Sequence, residues 1–143
     1  MSANAPTSGV FTAVSISSTR GCAIRGDGSL QCWQAPGYAS LGAVPPGRFV
    51  SIGMGTSHAC ALRSDGKAIC WGSNAQGQLD APGDANFVAL SAGQQHACGI
   101  RDDGRLACWG RNASGESQPP TGIFVEVSAG DTFTCARVED GDV

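Results

Sequence analysis

The fifteen-residue stretch His96-Ala-Cys-Gly-Ile-Arg-Asp-Asp-Gly-Arg-Leu-Ala-Cys-Trp-Gly110 has near copies upstream at a fixed interval, and this regularity constrains the fold more than composition does. Phe11, Phe49, Phe87 and Phe124 open successive units 38, 38 and 37 residues apart. Cys22, Cys60, Cys98 and Cys135 keep the same interval, and Cys32, Cys70 and Cys108 follow their partners by ten residues. The spacing divides the chain into one array of repeats at 11–48, 49–86, 87–123 and a truncated 124–143. Residues 1–10 read as the tail of a preceding unit, because Ala5-Pro-Thr-Ser-Gly-Val-Phe11 resembles Gln118-Pro-Pro-Thr-Gly-Ile-Phe124. A unit this short cannot bury its own apolar face, so about three and a half copies must stack on one another.

Within a unit the pattern is that of a β-meander. Phe87–Ser91, His96–Arg101 and Arg105–Trp109 are short apolar-rich runs separated by Ala-Gly and Asp-Gly turn signals. With 21 Gly, 7 Pro and 15% charged residues, the chain is suited to closely spaced turns rather than helices. Gly72-Ser-Asn-Ala-Gln-Gly-Gln78 has the chemistry of a crossing loop, which could also conceal a fourth edge strand.

Register follows from arithmetic. Placing Cys60 opposite Cys70 sets Ala59 against Trp71 and Leu62 against Ala68, leaving the loop Ser64-Asp65-Gly66 with glycine in the left-handed position. The same rule gives Gly26-Asp27-Gly28, Asp102-Asp103-Gly104 and Glu139-Asp140-Gly141. Cysteines directly opposed on antiparallel strands can be bridged, so the expected disulfides are Cys22–Cys32, Cys60–Cys70 and Cys98–Cys108. Cys135 stays unpaired, since its partner would be residue 145. The rival reading is a metal held by His58, Cys60 and Cys70, or by His96, Cys98 and Cys108. Against it, the histidines are replaced by Arg20 and Phe133 in the other units, and no Cys-x-x-Cys occurs. No metal or other cofactor is therefore expected. Trp33, Trp71 and Trp109 face Gly21, Ala59 and Ala97, a large ring over a small residue, which is packing rather than a ligand site.

The motif Phe-x-x-Val/Leu-Ser-Ala-Gly-x-x-His-x-Cys-x-Ile/Leu-x-x-Asp-Gly-x-x-x-Cys-Trp-Gly resembles regulator-of-chromosome-condensation repeats over essentially the whole chain. Its cysteine-paired form is similar to secreted bacterial repeat proteins, to the ectodomains of Crinkly-type plant receptor kinases and to the propeller-type β-lactamase inhibitory protein. The resemblance implies an all-β fold, a partial propeller or half of a seven-bladed ring. The first unit departs from the motif at Ile16-Ser17 and at Gln34-Ala-Pro-Gly-Tyr38. Seven blades need about twice this length, so the chain is expected either to close a ring as a homodimer or to be a fragment of a longer protein.

Net charge of −3 and the lack of a basic cluster argue against nucleic acid as a partner. No apolar run is long enough for a membrane-spanning helix, and Met1–Val10 has no secretory-signal pattern. The cysteines nevertheless point to an extracellular or periplasmic setting. No P-loop, nucleophile elbow, catalytic triad or dinucleotide fingerprint is present, so no enzymatic activity is expected. The Asp-Gly tips lack the alternating carboxylates of a calcium loop. Strand direction places the Ala-Gly-x-x turns and the loops after each tryptophan on one face. By analogy with propellers that grip proteins there, the candidate contact row is Ser18, Thr19, Thr56, Ser57, Gln94, Gln95, Asp131 and Thr132, with Asn74 and Asn112. The expected function is protein binding outside the cytoplasm, with nucleotide exchange on a small GTPase and glycan binding as alternatives. Asn112-Ala-Ser114 also fits an N-glycosylation acceptor.

Overall fold

Eleven short strands form where the repeat places β-branched and aromatic residues between glycine turns. A computed structural model describes residues 9–113 and 115–139. The strands are β1 (Phe11–Ile16), β2 (Arg20–Arg25), β3 (Leu30–Gln34), β4 (Phe49–Met54), β5 (His58–Arg63), β6 (Ala68–Gly72), β7 (Phe87–Ala92), β8 (His96–Arg101), β9 (Leu106–Gly110), β10 (Phe124–Ala129) and β11 (Thr134–Val138). They make antiparallel sheets β1-β2-β3, β4-β5-β6, β7-β8-β9 and β10-β11. Each sheet packs on the next through its first strand, so the array is a row of propeller blades. The loop after β6 forms turns and no fourth strand. The departures in the first unit cost it none of its three strands. The fourth tip lies outside the described residues from Asp140 onward, as do residues 1–8 and Ser114.

The register agrees with the arithmetic: Cys60 faces Cys70, Ala59 faces Trp71 and Leu62 faces Ala68, with equivalent pairs in the first and third blades. Disulfides join Cys22 to Cys32, Cys60 to Cys70 and Cys98 to Cys108, each across a Cα separation of 4.1 Å. The thiols that a metal would need are thus already bonded to one another. Gly28, Gly66 and Gly104 adopt φ of 85–90°, as the three-residue loops require. Asp27, Asp65 and Asp103 each accept a hydrogen bond from the backbone N–H two residues on. Each tip also clips two blades together, because the carbonyls of Gly28, Gly66 and Gly104 accept from the N–H of Phe49, Phe87 and Phe124.

One feature was not visible in the repeat pattern. A β-bulge follows the opening phenylalanine of every unit, between Phe11 and Ala13, Phe49 and Ser51, Phe87 and Ala89, and Phe124 and Glu126. The extra residue changes the in-out parity, so Phe49 and Ile52 share one face although they are three apart. The bulged valines, Val50, Val88 and Val125, are left exposed.

The core lies between blades rather than within them. The tryptophan face of each blade packs on the cysteine face of the blade before it. Ile52, Met54, Ala59, Ala61 and Trp71 meet Cys22, Ile24 and Leu30. Leu90, Ala97 and Trp109 meet Cys60, Leu62 and Ala68. Phe124 and Val127 meet Ile100 and Leu106. Serines on the first strands add hydrogen bonds across these seams. Ser15 Oγ accepts from Met54 N–H at 3.1 Å and Ser91 Oγ from Ala129 N–H at 3.0 Å. At the middle seam Gly53 replaces the serine, and a Cβ there would lie 2.9 Å from the Ala92 nitrogen.

Candidate functional site

The turns between first and second strands are built on one stacking device. In three blades a glycine lies directly beneath the ring that opens the second strand. A Cβ on Gly55 would sit 2.3 Å from His58 Cε1, and one on Gly93 2.3 Å from His96 Cε1. Phe133 covers Gly130 in the same way. Those glycines are also in tight contact with the neighbouring blade, since a Cβ on Gly93 would meet the Gly130 carbonyl at 2.2 Å. The first blade has Arg20 instead of a ring, and Ser17 instead of the glycine. The glycine after each tryptophan has a related purpose. At φ of 109° and 102°, Gly72 and Gly110 leave room for the Ser57 and Gln95 carbonyls, which accept from Ser73 and Arg111 N–H.

These turns hold the predicted contact row, but they split it. Ser18, Thr56, Gln94 and Asp131, one from each blade, are exposed and line a common depression with Ile16, Met54 and Ala92. Thr19, Ser57 and Gln95 are half-buried, and their carbonyls are tied into the loop that follows their own blade's third strand. Thr132 is exposed but lines a different cavity, beside β11. Asn74 and Asn112 do not reach the depression. Asn74 Oδ1 accepts from Leu79 N–H and its amide donates to Asp80, while Asn112 Oδ1 accepts from Ser117 N–H, so both carboxamides organise their own loops.

The floor of the depression is linked from blade to blade. Arg20 donates to the Thr56 carbonyl at 2.7 Å and to the Ala39 carbonyl at 2.9 Å. Thr56 donates its hydroxyl and its N–H to the Gln94 carbonyl, at 3.0 and 3.1 Å. Sequence reasoning missed this role of Arg20, although its substitution for histidine was the available signal.

Behind the turns sit the two buried histidines. Among the described residues, neither ring nitrogen of His58 finds a hydrogen-bond partner, and burial depresses its pKa to about 4. The His96 backbone partly opposes that shift and the His96 ring adds to it. His96 is better served, because its Nε2 lies 2.9 Å from Thr134 Oγ1. Its pKa is also lowered by burial, against the pull of the Glu116 charge. The residue in the place of Thr134 one blade earlier is Ala97, which has no hydroxyl to offer His58. At the opposite tips Arg63 holds the Asp65 carboxyl down to about 2. Among the described residues no group of three or more His, Cys, Asp or Glu side chains is placed to hold a metal. No helix there is long and apolar enough to cross a membrane.

Residues 49–78 and 87–116 match the regulator of chromosome condensation (RCC1) repeat. No curated protein is significantly similar to the chain. Among solved structures, the entire ectodomain of the Physcomitrella patens receptor kinase CR4 is 30% identical with a TM-score of 0.79, over 91% of this chain and 38% of that one. The CRINKLY WD40 ectodomain of the Arabidopsis thaliana receptor kinase ACR4 is 29% identical with a TM-score of 0.72, over 88% and 45%. Yeast RCC1 (Prp20), solved bound to Kap60, shares the fold at 17% identity and a TM-score of 0.74, over 94% and 43%. The chain thus spans less than half the length of each of these structures. Repeat period, disulfide-stapled meanders and blade-to-blade packing agree with these similarities, and the chain is an array of RCC1-type propeller repeats.

Proposed function

We propose that the chain is a protein-recognition module that works outside the cytoplasm and carries no chemistry of its own, with 11–48, 49–86, 87–123 and 124–143 as its units. The observation that carries this reading is the convergence of Ser18, Thr56, Gln94 and Asp131, from four different blades, on one exposed depression. Four polar groups on rigid turns can read a protein surface by hydrogen bonding while the disulfide-stapled blades hold their spacing. The remaining row residues, Thr19, Ser57, Gln95 and Thr132, support the turns or flank them. Three disulfides favour an oxidising compartment, extracellular or periplasmic, and the two plant structures of nearest identity are receptor ectodomains. Nucleotide exchange is not carried forward, because the yeast likeness is one of fold alone. Nor is glycan binding, since the exposed rings of Tyr38 and Phe133 line no common pocket.

The test compares the two faces. Gln94→Arg and Asp131→Arg alter the depression, and Asp102→Arg alters an opposite tip. Proteins cross-linked to the wild-type chain in the extracellular fluid of its source are identified, and their affinities are then measured. The expected outcome is a loss of at least about tenfold for the depression variants and no change for the tip variant. Equal affinities throughout, or a loss confined to the tip variant, would refute the assignment of the face.

A further inference from the structure

The last blade ends at an open edge that the other three blades do not have. In those blades β2, β5 and β8 are paired on both sides, with β3, β6 and β9 outermost. β11 occupies the same place but pairs with β10 alone among the described residues. The facing cysteines of the complete blades, at a Cα separation of 4.1 Å, are narrow, non-hydrogen-bonded pairs. The residues flanking them therefore form the hydrogen-bonded pairs of the ladder. On β11 the flanking residues are Thr134 and Ala136, and their outer N–H and C=O face an edge that no strand covers.

Two further features coincide with this edge. Cys135, in register with Cys22, Cys60 and Cys98, is a free and exposed thiol. Beside it a cavity lies between β11 and the third blade, lined by Leu106, Cys108, Pro119, Phe133, Thr134 and Ala136. The corresponding space one and two blades earlier is filled by Trp109, against Cys60 and Cys70, and by Trp71, against Cys22 and Cys32. The complete blades thus display what fits this place: an antiparallel strand whose cysteine meets the thiol and whose next residue, a tryptophan, fills the cavity.

We propose that the outer edge of β11 is a strand-acceptor site for an extended polypeptide segment of the Cys-Trp-Gly type, captured by backbone pairing and by a disulfide to Cys135. A second folded copy is not the occupant, because its β3, β6 and β9 are already paired within their own sheets. Capture proceeds by thiol–disulfide exchange with a segment whose cysteine is held as a mixed disulfide with a small thiol. The Cys135 thiolate attacks the segment's sulfur, a new S–S bond forms and the old one breaks. The small thiol leaves as a thiolate and takes up a proton, so one disulfide replaces another with no net oxidation.

The probe is the octapeptide Gly-Arg-Leu-Ala-Cys-Trp-Gly-Arg, the chain's own residues 104–111, with its cysteine joined to glutathione. Non-reducing mass spectrometry of the intact chain follows the adduct on Cys135. The expected rate is at least about tenfold above that of a scrambled peptide, or of one with Trp→Ala, carrying the same mixed disulfide. An octapeptide with Cys→Ser removes the covalent step, and is expected to slow amide hydrogen exchange at Thr134 and Ala136. Equal rates for the native and scrambled peptides would mean an exposed thiol without a strand site. That result would overturn the proposal, as would unchanged exchange at Thr134 and Ala136, or formation of Cys135-linked dimers in preference to the peptide adduct.

Discussion

His58 gives the sharpest test of how the blades are held together. Its ring is fully buried between Gly55 and the neighbouring turn, without a partner for either nitrogen, and its pKa is lowered from 6.5 to about 4. In the unfolded chain the same imidazole titrates near 6.5. Below that value the unfolded state takes up a proton that the folded state refuses, so stability falls as pH drops from 6.5 and levels off below 4. Two and a half pH units at about 1.36 kcal/mol each make the full loss about 3 kcal/mol, a sizeable share of the stability of a small domain. The depressed pKa of His96 acts in the same direction.

The assay is equilibrium denaturant unfolding between pH 7 and pH 4 with the disulfides intact, comparing the wild-type chain with His58→Phe. Phenylalanine is the suitable replacement because Phe133 already covers Gly130 at the equivalent position. Carboxylates also lose stabilising interactions in acid, but both proteins share them, so the difference between the two isolates His58. The wild-type chain should lose about 3 kcal/mol more than the variant. A ring-proton titration by NMR, with a midpoint near 4 for His58, checks the same point if the variant folds poorly. Parallel losses in the two proteins, or a His58 midpoint near 6.5, would refute the reasoning.

Three other changes probe the scaffold. Gly93→Ala places a methyl group within 2.3 Å of the His96 ring and 2.2 Å of the Gly130 carbonyl, and is expected to cost about 3 kcal/mol or more, read as a fall in thermal midpoint. The double variant Cys60→Ser with Cys70→Ser opens a loop closed across ten residues and should cost about 3 kcal/mol in denaturant unfolding. Trp109→Ala removes a buried ring that packs on Phe87 at 5.7 Å between centroids and should cost about 3–5 kcal/mol, with loss of the near-ultraviolet signal of that pair.

Strands, register and disulfides were legible in the chain because they repeat. An opposed pair such as Cys60 and Cys70 fixes every other pair in its hairpin, and three copies of the arithmetic check one another. The bulge was not legible, since Phe49 and Ile52 sit three apart and fit neither a strict alternation nor a turn until the partner strand is seen. The contact row was legible as a set of turns but not as a surface. Thr56 and Ser57 are adjacent small polar residues in the sequence, yet the glycine turn directs the first to the depression and ties the second to its own blade.

The ring closure inferred from repeat number has the least support in the geometry. Each chain supplies four first strands, β1, β4, β7 and β10, so two copies would bring eight to a common axis rather than seven. The two end faces also differ in kind. Val14 and Ile16 stand exposed on the first sheet, at the positions where Ile52 and Met54 are buried in the next. On the far side of the last sheet, Glu126 and Arg137 replace the Ala89 and Ile100 of the third blade and pair at 2.8 Å. Stacking one end on the other would strip water from that ion pair against valine and isoleucine, a desolvation of several kcal/mol per ion that the contact would have to offset. The charged face has the character of a cap, like the polar outer faces that terminate repeat arrays. The inner seams, by contrast, place apolar residues at both positions or a small serine at one. What extends this array most readily is therefore not another blade on its last face but another strand on its last edge.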